Sequence, residues 1–149
     1  MQTRLNYWQV APEAAQSLAP VNSYLEKSAI EPLLRHLVWL RVSQINGCAY
    51  CVDRHSQDAI RDGEKQQRLD CLVVWRESPF YSERERAALE WAEALTNVST
   101  THAPDEAYDL VRAHFSDKDL VDLTLLIATM NAWNRMAIGF RRGPGKRAN

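Results

Sequence analysis

Residues 44–55 read QINGCAYCVDRH, and this stretch places two thiols and an imidazole at the start of a predicted helix. The Asn46-Gly47 pair tolerates the left-handed backbone that closes a helix, so one helix should end here and the next should begin near Cys48. Side chains three and four positions apart share one face of a helix. We therefore expect Cys48, Cys51 and His55 on a single face, an arrangement typical of redox or metal chemistry.

The sequence on both sides of this stretch has helical periodicity. Apolar residues recur at helical spacing almost everywhere, and the β-branched run Val73-Val74-Trp75 lacks the alternation of a strand. A chain of 149 residues with 46% hydrophobic residues can bury one core without disulfides or metals. We predict an all-α, single-domain helical bundle over residues 1–149, with 141–149 as a flexible tail.

Capping residues, prolines and apolar stripes suggest where the helices lie. The last helix is apolar around much of its circumference and needs neighbours on several sides, which predicts a homo-oligomer. Its polar residues Asn131, Asn134 and Arg135 need partners, and hydrogen bonds to other helices are expected. We predict helices from Pro12 to before Pro20 and over residues 21–27, 31–45, 48–63, 64–75, 82–97, 104–115 and 117–140.

Charge and hydropathy exclude several partners. The 18 basic and 19 acidic residues are interleaved and sum to a net charge of -1, which argues against a nucleic-acid-binding surface. The basic cluster of Arg141, Arg142, Lys146 and Arg147 is interrupted by glycine and proline and reads as a solvated terminus. No uncharged apolar run approaches the ~20 residues that span a bilayer, so we expect no membrane partner and a cytoplasmic protein.

In a cytosolic chain, thiol buffers keep structural disulfides reduced, so Cys48 and Cys51 are predicted to be a working pair. The helix N-terminus and the CxxC arrangement both lower a thiol pKa, and His55 can accept the proton of Cys51. Oxidation of one sulfur to a sulfenic acid would be resolved by the other as a disulfide. This cycle needs no bound cofactor.

Two other interpretations of the cysteines stay open. Zinc would need four ligands, and the sequence offers two thiols and one nearby imidazole without a second ligand pair. Alternatively, both cysteines could simply be buried as small hydrophobic residues. The third cysteine, Cys71, has no nearby basic residue and is predicted to pack rather than react.

Residues 33–55 closely resemble the core of the alkylhydroperoxidase D-like proteins within the carboxymuconolactone decarboxylase superfamily. Those proteins carry a similar LRxSQxNGCxYCxxxH pattern, and the resemblance extends to residues 82–96 and 131–135, covering roughly 20–140. It implies an all-helical fold, assembly into trimers or hexamers, and thiol peroxidase activity on hydrogen peroxide or organic hydroperoxides. The expected reductant is a dithiol, such as a thioredoxin-like protein or a lipoyl group.

The resemblance also implies roles for individual residues. Cys51 would attack the peroxide, Cys48 would resolve the intermediate and exchange with the reductant, and His55 would belong to a proton relay. The order of the thiols stays open, because the helix N-terminus favours a low pKa at Cys48 and proximity to His55 favours Cys51. The family's relay includes a glutamate twelve residues before the first cysteine, where this chain has His36.

His36 could shuttle protons or merely pack, with a nearby acid such as Glu31 in compensation. A lactone decarboxylase would not need the CxxC pair, which argues against that activity. A non-enzymatic redox sensor, or a thiol-disulfide oxidoreductase acting on another substrate, is the alternative to a peroxidase.

Overall fold

A computed structural model describes residues 2–145, and this part of the chain contains helices, turns and loops without a strand. The all-α prediction is confirmed. The helices are α1 (Tyr7–Val10), α2 (Pro12–Gln16), α3 (Ala19–Glu26), α4 (Pro32–Asn46), α5 (Ala49–Arg61), α6 (Gln66–Cys71), a 3-10 helix (Leu72–Glu77), α7 (Glu83–Thr96), α8 (Val98–Thr101), α9 (Asp105–Arg112) and α10 (Asp117–Gly139).

Helix α4 lies at the centre of the molecule because its apolar side chains point in more than one direction. Leu37 and Leu40 belong to a core cluster that includes Leu72 and Trp75. Val38 and Val42, on another side of the helix, belong to a larger cluster with residues of α7, α9 and α10. A helix buried on several sides fixes the positions of its neighbours, and α4 therefore sets where α5 and α10 lie.

Helices α4 and α5 form a hairpin around Gly47. Gly47 has a φ of +71°, and its amide donates to the carbonyls of Ser43 and Gln44, closing α4 as the sequence predicts. Cys48 then caps α5 with an extended backbone. The turn sends α5 back alongside α4 and places the cysteines where the two helices meet.

Ser82 and Glu85 form the predicted capping box at the start of α7, and Ser116 caps α10. The predicted hydrogen bonds between helices are present for Asn131 and Asn134: Asn46 Nδ2 donates to the Oδ1 atoms of both residues at 2.9 Å. For Arg135 the prediction is wrong, because its Nη1 donates to Asn131 within α10. The buried amide of Asn134 donates to Ser43 Oγ at 3.1 Å. These bonds tie the hairpin turn to α10.

The structure corrects several details. Pro20 lies in the first turn of α3 rather than beyond the end of a helix, since an early helical position needs no amide proton. The helix predicted over residues 64–75 is α-helical only in part. Residues 72–77 form a 3-10 helix, which rotates the side chains away from α-helical positions and leaves Val73 57% exposed. Residues 98–101 form a short helix where a loop was expected.

The N-terminal segment lies against the C-terminal end of α10. The Arg4 amide donates to the Phe140 carbonyl at 3.0 Å, and the rings of Trp8 and Trp133 stack with centroids 6.0 Å apart. Arg142 was predicted to be solvated, but it lies over the Tyr50 ring at 4.0 Å. The remainder of the predicted tail, residues 146–149, lies outside the described residues.

No described helix combines the length and the apolar character needed to cross a membrane.

Candidate functional site

The two cysteines occupy the first turn of α5. Cys48 is the N-cap residue and Cys51 is the third residue of the helix, with their Cα atoms 5.4 Å apart and their sulfurs joined in a disulfide. The Cys51 amide donates to the sulfur of Cys48 at 3.4 Å. Both side chains are buried, at 2% and 4% exposure. The positive end of the helix dipole lies at both sulfurs, which favours a thiolate after reduction.

His55 lies one turn beyond Cys51 on the same face of α5, and its ring contacts Trp39 with centroids 5.1 Å apart. Its Nδ1 is buried without a hydrogen-bond partner among the described residues. Burial lowers the pKa of His55 to about 4, and the carboxylate of Asp58 opposes only part of this shift. In the disulfide state His55 is therefore neutral at neutral pH and can accept a proton.

His36 lies on α4 beside the same tryptophan, with ring centroids 5.8 Å apart. Its Nε2 is 2.8 Å from Oδ2 of Asp62, the residue that follows α5. The hydrogen bond from His36 lowers the pKa of Asp62, so the carboxylate is ionised and Nε2 of the histidine donates the proton. Trp39 thus contacts both imidazoles, and the imidazole of His36 is hydrogen-bonded to the surface carboxylate of Asp62.

The acid that contacts His36 is Asp62 and not Glu31. Glu31 precedes α4 and pairs with Arg84 at 3.2 Å. Sequence reasoning missed Asp62, although a signal was present: Asp62 follows His55 by seven positions, which is two helical turns. The hairpin of α4 and α5 brings the end of α5 to the start of α4.

A cavity of about 340 Å³ adjoins this face, and both Cys51 and His55 line it. Cys48 is not among the residues that line the cavity. The far walls come from both ends of the chain: Tyr7 and Trp8 from α1, and Trp133 from α10, with Arg142 just beyond it. Sequence reasoning gave Tyr7 and Arg142 no role in the site.

The sequence contains a local signal that places the two thiols in this site, but it contains none that places Arg142 there. Arg142 Nη1 donates to the hydroxyl of Tyr7 at 3.2 Å across 135 positions of sequence. A contact between residues so far apart depends on how the helices pack, and no spacing rule predicts it.

Within residues 2–145, no group of three or more His, Cys, Asp or Glu side chains is arranged to hold a metal ion. Cys71 is a partly buried free thiol outside the cavity.

The fold and the site define a class: all-α proteins with a CxxC pair at a helix start and a histidine one turn later, as in the alkylhydroperoxidase D-like proteins. A sequence model of the carboxymuconolactone decarboxylase family matches residues 12–94. The chain belongs to this family. It is also 43% identical over 138 residues to the uncharacterized protein YdfG of Bacillus subtilis, covering 93% of this chain and 94% of that protein.

Two solved structures share the architecture. A protein of unknown function from Agrobacterium tumefaciens, for which the antioxidant defence protein AhpD has been suggested, is 44% identical with a TM-score of 0.95, covering 98% of this chain and 100% of that one. An uncharacterized peroxidase-related protein from Silicibacter is 25% identical with a TM-score of 0.79, covering 90% and 71% of the two chains. The predicted membership of the superfamily is confirmed.

Proposed function

We propose that this protein is a thiol-dependent peroxidase that reduces hydroperoxides through the Cys48–Cys51 pair. The observation that carries the proposal is that Cys51 and His55 line one cavity while Cys48 lies beside Cys51, outside the cavity lining. An oxidant in the cavity would meet Cys51 first. The antioxidant name suggested for the Agrobacterium protein and the peroxidase-related name of the Silicibacter protein agree with this chemistry.

In the proposed cycle, the Cys51 thiolate attacks the terminal oxygen of the hydroperoxide and breaks the O–O bond. The departing alkoxide takes a proton to become an alcohol, and Cys51 becomes a sulfenic acid. Cys48 then attacks the Cys51 sulfur, which forms the disulfide and releases water. Two electrons pass from the two thiols to the peroxide, and an external dithiol restores both thiols by exchange.

We assign the proton transfers to the two histidines. His55 takes the thiol proton of Cys51 and returns it to the leaving oxygen, since it is neutral in the disulfide state and lines the cavity. His36 replaces the glutamate of the family pattern, and its bond to Asp62 holds the ring in place. Protons would pass between the two histidines and solvent through Asp62.

The test is multiple turnover of cumene hydroperoxide by the purified protein with a dithiol reductant. Cys48→Ser and Cys51→Ser should each abolish turnover, because the disulfide cannot form without both sulfurs. Cys71→Ser is the matched control and should keep full activity, since Cys71 lies outside the cavity and has no disulfide partner. A single oxidation without turnover would instead support a redox sensor or an oxidoreductase for another substrate.

The same assay tests the role of His36. Asp62→Asn should slow turnover about tenfold or more, because the ring loses its charged partner. His36→Glu alone should not increase activity, since it sets a second carboxylate against Asp62 and like charges at this distance repel. The double variant that carries both His36→Glu and Asp62→Asn lacks that repulsion, and its turnover rate should exceed that of His36→Glu alone. Equal rates for the single and double variants would contradict the assignment.

A further inference from the structure

We propose that the cavity beside Cys51 binds hydroperoxides that carry a carboxylate on an aromatic or apolar body, and that Arg142 binds the carboxylate. This inference rests on the proposed peroxidase function and names its substrate class. Arg142 is then a substrate-binding residue. It follows the last helix of the chain and contacts the cavity wall that the N-terminal helix α1 forms.

The charge of the cavity carries the argument. Its described lining contains two arginines, Arg54 and Arg142, and no aspartate or glutamate. Arg54 is already paired with Asp58 at 2.6 Å. His55 adds no charge at neutral pH, because burial lowers its pKa to about 4. The net charge of the lining is therefore positive, and Arg142 contributes the cation that an anionic ligand can reach.

Arg142 is held in place by aromatic groups. Its guanidinium lies 4.0 Å from the Tyr50 ring centroid, and its Nη1 donates to the Tyr7 hydroxyl at 3.2 Å. No carboxylate among residues 2–145 forms an ion pair with it. A planar guanidinium has five N–H donors and binds a carboxylate in bidentate fashion. The contact with Tyr50 holds the guanidinium in place and leaves donors for such a ligand.

The remainder of the cavity suits an apolar body. The stacked rings of Trp8 and Trp133 form one wall, and Ala19 and Ala137 contribute small apolar groups. The volume of about 340 Å³ is within the range of cavities that bind small organic ligands. Hydrogen peroxide has no apolar group that could pack against these walls. An aromatic acid could contact the indoles while its carboxylate reaches Arg142.

The reaction is the balanced cycle given above. The O–O bond of the bound acid breaks, its hydroperoxide becomes an alcohol, and the second oxygen leaves as water as the two thiols become the disulfide. The carboxylate is unchanged and serves only for binding, so its effect should be separable from the chemistry.

A matched pair of oxidants tests the inference. Cumene hydroperoxide and its ring-carboxylated analogue, 4-(2-hydroperoxypropan-2-yl)benzoate, have the same reacting group and differ in one charge. We expect kcat/KM about tenfold higher for the carboxylated compound, and we expect added salt to reduce this preference. Arg142→Met should bring the ratio to about one, while Arg142→Lys should keep part of it.

Two controls separate binding from structural damage. Arg141→Met removes the same charge from the adjacent, exposed residue, which does not line the cavity, and should keep the preference. Tyr7→Phe removes the hydroxyl that helps to hold Arg142 but leaves the cation, so the ratio should fall only in part. A merely structural role for Arg142 would lower the rates for both oxidants equally and leave the ratio unchanged.

The outcomes distinguish the two proposals. Turnover of both compounds at the same kcat/KM would overturn the substrate class and leave the peroxidase intact. Turnover of neither would overturn the peroxidase, and titration calorimetry with the unreactive 4-isopropylbenzoate would then decide the anion site. Binding that is lost in Arg142→Met but kept in Arg141→Met would support that site, and no binding to the unmodified protein would overturn it.

Discussion

At the scale of single residues, the site differs from a simple thiol pair in the environment of its imidazoles. His55 lies against Trp39 with a buried Nδ1, and His36 lies against the same tryptophan with a carboxylate partner. These surroundings give two residues of one type different properties. His55 is suited to accept a proton, and His36 is held by its hydrogen bond to Asp62.

The first prediction concerns the titration of His55 in the disulfide form. Its pKa of about 4 lies below the 6.5 of an unfolded histidine, so between these values the unfolded chain binds more protons. The contribution of His55 to the free energy of unfolding is complete above pH 6.5 and is lost as the pH falls toward about 4. The free energy of unfolding can be measured with urea at about pH 7 and at about pH 4.5. Between these two pH values it should fall by about 2 kcal/mol more in the unmodified protein than in His55→Gln.

His102→Asn is the control, because His102 is exposed and asparagine tolerates its left-handed backbone. Its pH dependence should match that of the unmodified protein. NMR titration should place the His55 midpoint near 4 in the disulfide form and higher after reduction, since a Cys51 thiolate would stabilise the imidazolium. An unshifted midpoint near 6.5 would contradict the burial argument.

At the scale of elements, the hairpin of α4 and α5 depends on one backbone conformation. Gly47 adopts a φ of +71°, and apart from its chain neighbours no atom of residues 2–145 lies within 4 Å of where its Cβ would be. Any cost of a side chain there is conformational and not steric. The hydrogen bonds of Asn46 to α10 then hold the turn, and with it the start of α5, in place.

Two glycine substitutions should have opposite effects on stability. Gly47→Ala should lower the free energy of unfolding by about 1 kcal/mol, because alanine disfavours the left-handed region. Gly139→Ala should raise it by about 0.5 kcal/mol, because Gly139 ends α10 with open space around it and alanine favours a helix. Urea denaturation measures both changes, and two changes of the same sign would contradict this interpretation.

Most helices could be predicted from the sequence because their signals are local. The capping box at Ser82, the proline that opens α4 and the glycine that closes it all act within a few residues. The CxxC pair and His55 could be placed on one face for the same reason. The contacts of Asp62 with His36 and of Arg142 with Tyr7 could not be predicted, since the partners lie 26 and 135 positions apart and come together only through packing.

At the scale of the whole molecule, one face of α10 is apolar and exposed. Val121 and Leu125 are 66% and 37% exposed, and with Ala128 they line an open hollow against α7 and α9. Ala132 continues the stripe beside Leu95 and Val98. Apolar stripes of this extent commonly mark protein interfaces, and we expect copies of this chain to associate through it.

Leu125→Glu should therefore weaken self-association, because it places a charge in the centre of the stripe. Sedimentation velocity should detect the shift to smaller species. Val73→Glu is the control: Val73 is also apolar and exposed, but it lies on the 3-10 helix, away from α10. Its variant should sediment like the unmodified protein, and a protein that is monomeric before substitution would contradict the expectation.

The cavity draws its walls from the two ends of the chain, and this has an evolutionary consequence. The family match covers residues 12–94 and includes both thiols and both histidines, while Tyr7, Trp8, Trp133 and Arg142 lie outside it. Under the proposed function, the reacting groups lie within the family match, while part of the wall that would contact the oxidant lies outside it. On this proposal, exchange of the terminal segments would be expected to redirect the same pair of thiols to a new molecule without rebuilding the groups that react with it.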